Sequence, residues 1–401
     1  MPSPGVTAAR ALPVRVALVV LLVHGAWIGL FLGLGHDPLE FVHVGVHQLQ
    51  RSTSSAAISG LVHNPDVAEA IGNDGQFAYY MALDPVHARA YVDHDSYRYA
   101  RFLYPLLARV LSFGQVGAIP TVLLVLNLAG VAGGALAVAL WLARLGLSPW
   151  LALFYGLFPG MIFSLRFDFA EPIAYGLVAG AVYVFDSGKG RRWVWAAVLL
   201  ALAGVTRETA LVFASGYVLA IALGREPNRL RRSLAFAGIA AGPLILVKLG
   251  LWALWGSPGA GPGLDFPFAA LLHPRATSCI PDCGPLDPTH VYAELLVIVL
   301  PAAIACAIAV TWVVCRSWSA APFNLLLNTA LYIVFVNREA FLGFPGSFRF
   351  SIPIILAAIF CLPAVPALGR PARTAAMTAG AIWMASAPVW LLRALNLLGG
   401  I

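Results

Sequence analysis

Apolar stretches, separated by short polar breaks, follow one another along almost the whole chain. A helix needs about 20 apolar residues to cross a hydrocarbon core about 30 Å thick. The pattern predicts an all-α polytopic protein with about eleven transmembrane helices. These spans lie near residues 14–34, 118–143, 147–164, 172–186, 192–206, 208–224, 233–255, 291–315, 320–336, 350–368 and 374–397. No linker, low-complexity tract or repeat divides the chain, so we predict a single transmembrane domain over residues 1–401.

Two polar stretches are much longer than the other breaks, at residues 35–117 and 256–290. Loops longer than about 15 residues are usually either functional or disordered. The first stretch has apolar and aromatic residues at helical spacing, which predicts amphipathic helices lying on the membrane surface. These residues are Phe77, Tyr80, Met81, Phe102, Leu106, Leu107 and Val110. We therefore expect the first long loop to be ordered.

The distribution of charge predicts the orientation in the membrane. Arg10 and Arg15 precede the first span, and the later breaks on the same side are also basic, which predicts a cytoplasmic N-terminus. Of the 18 acidic residues, all except Asp186 and Glu226 then fall on the opposite side. The net charge of +7 is therefore a topology signal rather than evidence for nucleic acid. We predict a multi-pass protein of the plasma (inner) membrane with an extracytoplasmic functional face.

Composition agrees with a protein embedded in lipid. Hydrophobic residues make up 60% of the chain and charged residues only 11%, against about 25% charged residues in soluble proteins. Ionisable groups near hydrocarbon are costly and tend to persist where they pair or act. Four polar clusters stand at the outer ends of predicted spans, at 73–77 with 97–105, at 166–172, at 206–209, and at 337–339 with Arg349. The predicted topology places all four on one face.

Arginine is the side chain best suited to phosphate, because its planar fork donates two parallel hydrogen bonds. Five outer arginines are candidates for a cradle around a diphosphate or phosphodiester, namely Arg98, Arg101, Arg166, Arg207 and Arg349. Asp74 is a candidate general base for an acceptor hydroxyl, and Gly75 would allow a tight turn beside it. The alternative is that couples such as Arg207 with Glu208, or Arg338 with Glu339, are buried pairs that only satisfy themselves.

The motifs at 73–77, 171–172, 206–209 and 349–353 resemble those of the GT-C superfamily of polytopic glycosyltransferases. The most similar group is the bacterial relatives of the GPI mannosyltransferases (PIG-V-like), which carry a Trp-Asp-Gly motif in the first loop. The matching positions in this chain are Asn73-Asp74-Gly75, so asparagine replaces the tryptophan. The resemblance implies a polyprenyl-phosphate-linked sugar as donor, a lipid, glycan or protein acceptor, and inversion with Asp74 as the base. The implied substrate-binding residues are Gln76, Arg98, Arg101, Tyr104, Arg166, Asp168, Glu171, Arg207, Glu208, Arg338 and Arg349.

The sequence predicts no metal site and one local disulfide. The Asp-x-Asp or Glu-x-Asp motif of some GT-C members is absent from its expected place, so we predict no metal or other cofactor. His43 and His47 share a helical face, but Val44 stands where a zinc-protease motif needs Glu, which favours a solvated or interfacial face. Cys279 and Cys283 lie in the second long loop, where an oxidising compartment favours a local disulfide over two free thiols.

Two other classes of protein compete with the transferase. A secondary transporter or flippase of a phosphorylated or lipid substrate would also carry many helices and intramembrane charges. Such proteins usually show internal repeats and broken helices near the midplane, whereas the charges here gather at one surface. The break at 206–209 is the feature that fits a transporter. A silent lipid-binding protein is the other alternative, and both would tolerate Asp74→Asn better than a transferase.

Overall fold

The computed structural model describes residues 4–45, 72–187, 190–259, 299–314, 319–335 and 346–394. Within these ranges the chain is all-helical and forms no strand. The α-helices, numbered in chain order, are α1 Pro4–Gly33, α2 Gly75–Leu83, α3 Asp95–Tyr99, α4 Leu103–Leu111, α5 Ile119–Arg144, α6 Leu153–Gly156, α7 Pro159–Arg166, α8 Glu171–Asp186, α9 Arg192–Thr206, α10 Leu211–Leu223, α11 Arg229–Trp255, α12 Leu300–Val314, α13 Ala320–Thr329, α14 Gly346–Cys361 and α15 Arg370–Ala394. Short 3₁₀ segments connect several of them, and a π-helical turn at Ala330–Val334 follows α13.

Four of the described helical segments are long and apolar enough to cross a membrane. They are Ala11–Gly33, Val116–Arg144, Arg229–Trp255 and Phe348–Val365. Each coincides with a predicted span, and together they indicate a membrane protein. Shorter apolar segments at Arg192–Thr206, Glu208–Leu223 and Ala320–Val334 occupy further predicted spans. The total of about eleven spans stays a prediction.

The span predicted at 147–164 is not one helix. It is divided into a 3₁₀ turn at Pro149–Ala152, then α6, then α7. The helix stops before Pro159 because proline disfavours helical geometry in the residue that precedes it. Phe158 is accordingly extended, with φ −62° and ψ 138°. The prediction of a continuous span was therefore wrong at this point.

Two of the helices described in the first long loop, α2 and α4, differ in their surroundings. α2 is buried almost throughout, from Gly75 to Leu83, so it is not the surface helix that its spacing predicted. α4 does have one apolar exposed face, formed by Leu106 and Val110, with Tyr104 and Ala108 buried on the other side. Only α4 therefore confirms the predicted amphipathic pattern. The prediction failed for α2 because both of its faces pack against protein.

Helices α5 and α8 approach each other closely through glycines. A Cβ built on Gly176 of α8 would lie 2.5 Å from the carbonyl oxygen of Gly130 in α5. A Cβ on Gly130 would lie 2.7 Å from the backbone nitrogen of Ile173. Small residues allow such close approach between helices in a membrane, and any side chain here would overlap main chain. This contact brings Asn127 of α5 and Glu171 of α8 to the same end of the bundle.

Candidate functional site

The ends of several helices surround a charged pocket. Residues from the first long loop, from the starts of α8 and α14, and from the α9–α10 junction line it. The charged side chains are Asp74, Arg98, Arg101, Asp168, Glu171, Arg207 and Arg349, and the others are Phe77, Ala78, Met81, Tyr104, Pro105, Phe169 and Ala170. Measured as a cavity the pocket is small, about 50 Å³, and it opens to solvent.

Asp74, immediately before α2, is held by two arginines. Nη2 of Arg98 donates to Oδ1 at 2.9 Å, and Nη2 of Arg349 donates to Oδ2 at 2.7 Å. Desolvation would raise the pKa of this carboxyl, but the charges and hydrogen bonds of Arg349 and Arg98 outweigh it. They hold the pKa of Asp74 well below its usual range. Asp74 is therefore an anion that links two distant parts of the chain.

Gly75 is required by the close approach of the α7–α8 connection. A Cβ at this position would overlap the carbonyl oxygen of Phe167 and lie 3.2 Å from Cβ of Asp168. The tight turn expected of the Asp-Gly pair is thus also a point of backbone contact. The contact brings Asp74 and Asp168 into the same pocket.

Arg98 is held on its other side by a second carboxylate. Its Nε donates to Oδ1 of Asp93 and its Nη2 to Oδ2, each at 2.7 Å. The guanidinium also lies over the ring of Phe77, with its central carbon 4.2 Å from the ring centroid. Two-pronged pairing fixes the plane of the guanidinium, so Asp93 orients Arg98 towards the pocket.

Glu171, the first residue of α8, lies between two arginines. Its Oε1 is 2.6 Å from Nε of Arg349 and 2.9 Å from Nη1 of Arg207. Both contacts have ion-pair distances without the angles of a hydrogen bond, and neither oxygen of Glu171 has a hydrogen-bond partner among the described residues. Charge attraction holds the buried carboxylate between the two guanidinium groups, because it needs short distances but no particular alignment. Glu171 is buried completely.

The α9–α10 junction adds a further ion pair, between Arg101 and Glu208, beside the pocket. Arg101 donates through Nε and Nη2 to the two carboxylate oxygens of Glu208, each at 2.6 Å. α9 ends at Thr206, and Arg207 is extended, with φ −156° and ψ 116°, so the chain reverses with almost no loop. This pair joins the first long loop to the α9–α10 junction.

Asp168 has a different environment from the other carboxylates of the pocket. Its Oδ1 accepts hydrogen bonds from the Tyr104 hydroxyl at 2.5 Å and from Nδ2 of Asn127 at 3.0 Å. Its Oδ2 has no partner within the described ranges. Burial raises the pKa of Asp168 to about 7, and the two neutral donors only partly oppose that rise. Its φ of +52° is uncommon for a residue other than glycine.

No family model, curated protein or solved structure matches this chain. The resemblance to the GT-C superfamily stays a prediction from motifs. What the pocket can do follows from its chemistry, in which four guanidinium groups meet three carboxylates around an open space. Such a set favours an anionic ligand with several oxygen acceptors. Among the described residues, no group of three or more His, Cys, Asp or Glu side chains is placed to hold a metal ion.

The structure brings together residues from all four polar clusters, although three described residues that were predicted to bind substrate do not line the pocket, namely Gln76, Arg166 and Glu208. Arg166 does not line the pocket, because Nη1 donates to the Glu40 carbonyl at 2.9 Å and the side chain also contacts His43. Gln76 accepts a hydrogen bond from the backbone nitrogen of Gly45 at 3.1 Å, so it fixes the backbone of this loop. Other predicted residues lie outside the described ranges, namely His47, Cys279, Cys283, Arg338 and Glu339.

Sequence reasoning missed two residues that support the pocket. Asn127 is the single side-chain amide in the 26-residue helix α5, and it contacts both Asp168 and Tyr104. An amide alone in an apolar helix was the signal that could have identified it. Asp93 was considered only as part of a metal motif, whereas its role here is to pair with Arg98. A contact between residues as far apart in sequence as Asn127 and Asp168 produces no local sequence pattern from which it could be predicted.

Proposed function

We propose that the chain is a membrane glycosyltransferase, mannosyltransferase-like, that moves a sugar from a polyprenyl-phosphate donor to an acceptor at the extracytoplasmic face. The acceptor is a lipid-linked, glycan or protein hydroxyl. The observation that carries the proposal is the pocket in which Arg98, Arg101, Arg207 and Arg349 converge. All four guanidinium groups are mostly buried, so their attraction for an anion is stronger than it would be in water.

The proposed reaction needs an anionic leaving group and a proton acceptor. The acceptor oxygen forms a bond to the anomeric carbon as the bond from that carbon to the phosphate oxygen breaks, and the phosphate leaves with the electron pair. The proton of the acceptor hydroxyl passes to a carboxylate, for which Asp74 is the candidate. Arginines fixed beforehand around the leaving phosphate would stabilise its developing charge, usually the largest contribution to catalysis. Attack opposite the phosphate inverts the configuration.

The surface beside the pocket suits a lipid-linked donor. Pro105 of α4 lines the pocket, and the next residue, Leu106, is exposed with Val110 on the same helix. Phe113, just after α4, is 89% exposed. Apolar residues on this face would lie among lipid chains, so a polyprenyl tail could run along α4 while its phosphate enters the pocket.

Sugar transfer by the purified protein in nanodiscs tests the proposal. A panel of polyprenyl-phosphate sugars would be offered to the wild type, to Arg207→Ala and to the control Arg89→Ala, whose exposed pair with Asp95 lies outside the pocket. We expect the wild type and the control to release polyprenyl phosphate, and Arg207→Ala to lose at least 100-fold in rate. Absence of transfer by the wild type with every donor would contradict the proposal.

A transporter or flippase of a phosphorylated lipid is the second candidate. The observations that favour it are two buried amides, Asn324 and Asn328, in α13 and the π-helical turn that follows them. π-helical turns are frequent at functional sites, and buried polar groups within a membrane often mark a substrate path. Movement of labelled polyprenyl phosphate across liposomes containing the wild type, without any transfer, would favour this candidate.

A further inference from the structure

Every arginine of the pocket is paired with a carboxylate. Arg101 pairs with Glu208, and Arg207 with Glu171. Arg98 and Arg349 share Asp74. In Arg98 and in Arg349 both Nε and Nη2 are paired, so a phosphate cannot gain two-pronged contacts with either guanidinium unless a carboxylate gives up its place.

We propose that the donor phosphate displaces Asp74 from Arg98 and Arg349, and that the released carboxylate becomes free to accept the proton of the acceptor hydroxyl. The inference rests on the proposed function and adds an order of events to it. Asp74 would then have two roles. It occupies Arg98 and Arg349 until an anion binds, and it acts as the base only after that anion has bound.

Asp74 is the pocket carboxylate that an incoming anion can displace most easily. Its side chain is 36% exposed, whereas Glu171 is 1% exposed. Glu208 and Asp93 do not line the pocket, and each has both oxygens on a single guanidinium. Asp74 instead has one oxygen on each of two arginines, so neither of its contacts has the two-pronged geometry that makes such pairs strong.

Release of Asp74 would not disrupt the helix that follows it. Asp74 precedes α2, but its side chain makes no capping hydrogen bond to the helix. Gly75 and the rest of α2 are fixed instead by their own burial and by the contact of Gly75 with the α7–α8 connection. The side chain can therefore turn away from Arg98 and Arg349 while its backbone stays in place.

The displacement changes the chemistry of the carboxyl. The two arginines keep Asp74 ionised and weakly basic. Their charges and hydrogen bonds are what lower its pKa, so removal of these contacts lets the pKa rise back towards its usual range. A base is most effective when its pKa approaches the working pH. Donor binding would thus create the proton acceptor that the second substrate needs.

The groups that face Asp74 come from several elements. Arg98 and Asp93 stand on the side of α3, Arg101 on the α3–α4 connection, and Arg349 on α14. The charged groups across the pocket are Asp168, Glu171 and Arg207. Asp93 keeps its two hydrogen bonds to Arg98 after the exchange, so this arginine stays oriented towards the incoming phosphate.

Binding of a short-chain polyprenyl phosphate without sugar, measured by calorimetry on the full chain in nanodiscs, tests the exchange. Asp74→Asn removes the competing anion, so we expect it to bind this probe about tenfold more tightly than the wild type does, since a neutral amide holds the arginines less strongly. Asp95→Asn is the matched control, because it makes the same change of charge in the same loop, at an exposed pair with Arg89 outside the pocket. We expect its affinity to stay within threefold of the wild type.

The outcomes separate the exchange from the proposed function. Equal or weaker binding by Asp74→Asn, or equal tightening by Asp95→Asn, would overturn the displacement even if the wild type transfers sugar. Selective tightening without any transfer by the wild type would support the displacement and refute the transferase. Asp74→Ser, smaller and also neutral, serves as a second variant if Asp74→Asn does not fold, and it should show the same tightening.

Discussion

Asp74 and Asp168 line the same pocket and are brought together by the contact at Gly75, yet their surroundings are opposite. Asp74 has two guanidinium groups on it, whereas Asp168 has only a hydroxyl and an amide. Cations hold the pKa of the part-exposed Asp74 low, whereas the neutral donors at the buried Asp168 do not prevent burial from raising its pKa. The difference teaches that the partners and the exposure of a carboxyl together decide whether it is an anion or a proton reservoir.

Arg349→Ala should give the largest effect, because Arg349 serves both Asp74 and Glu171. Its loss leaves Glu171 buried with Arg207 alone and removes one of the four cradle cations. Breaking a buried pair by removing one partner costs about 3–5 kcal/mol. We expect transfer to fall to background and the thermal midpoint to drop. Arg89→Ala, at an exposed pair worth about 0–1 kcal/mol, should change neither measurement appreciably.

The variants Asp74→Asn and Asp168→Asn test which of the two carboxyls is the general base. With saturating donor, we expect Asp74→Asn to lose about 10²–10⁴ in turnover, the usual contribution of a general base. Asp168→Asn keeps an oxygen that can accept from Tyr104, so its turnover should fall less than tenfold. Turnover measured for both variants beside the wild type decides the assignment. The reverse order of losses would make Asp168 the base and leave Asp74 as a residue that positions arginines.

Gly75→Ala should disturb the relation between the two carboxylates without changing any charge. The added methyl group overlaps the Phe167 carbonyl and must separate α2 from the α7–α8 connection. Overpacking of this kind costs about 1–3 kcal/mol, and we expect a loss of about tenfold in transfer. Gly117→Ala, in the same long loop with no atom within 4 Å of its added Cβ, is the control. Equal thermal midpoints for the two variants would contradict the close contact.

The smallest effect should be in the pH dependence of stability. The pKa of Asp168 is raised on folding from about 4 to about 7, so its contribution to stability is full below pH 4 and is lost as the pH rises to 7. The expected slope is at most about 1.4 kcal/mol per pH unit. Thermal unfolding in detergent between pH 5 and 7 should therefore show a decline in the wild type that Asp168→Asn reduces. Parallel curves would show that Asp168 does not carry the proton.

The long apolar helices were predictable because a membrane span requires a length of apolar residues that few other structures need. The break at Pro159 was hidden, since hydrophobicity alone does not report how a proline divides a span. α2 was placed on the surface because helical spacing of apolar residues does not reveal whether the remaining face is also covered.

The site residues that the sequence could predict are those with a charge next to an apolar segment, where an ionisable group is costly in free energy. Arginines at apolar helix ends drew attention for that reason, and Arg98, Arg207 and Arg349 do line the pocket. Arg166 shared the signal but ends α7 with its side chain against Glu40, a direction that sequence alone does not contain. The partners of Asp168 were missed because they come from helices far away along the chain.

The ion pair between Asp74 and Arg349 joins residues 275 positions apart. During synthesis the carboxylate therefore emerges long before its partner, and α14 must enter the membrane before the pair can form. The pocket is in this sense completed last, after the helices that surround it have been inserted. A chain that ends before α14 would leave Asp74 and Glu171 each without one of their arginines, which offers the cell a chemical difference between an immature protein and a finished one.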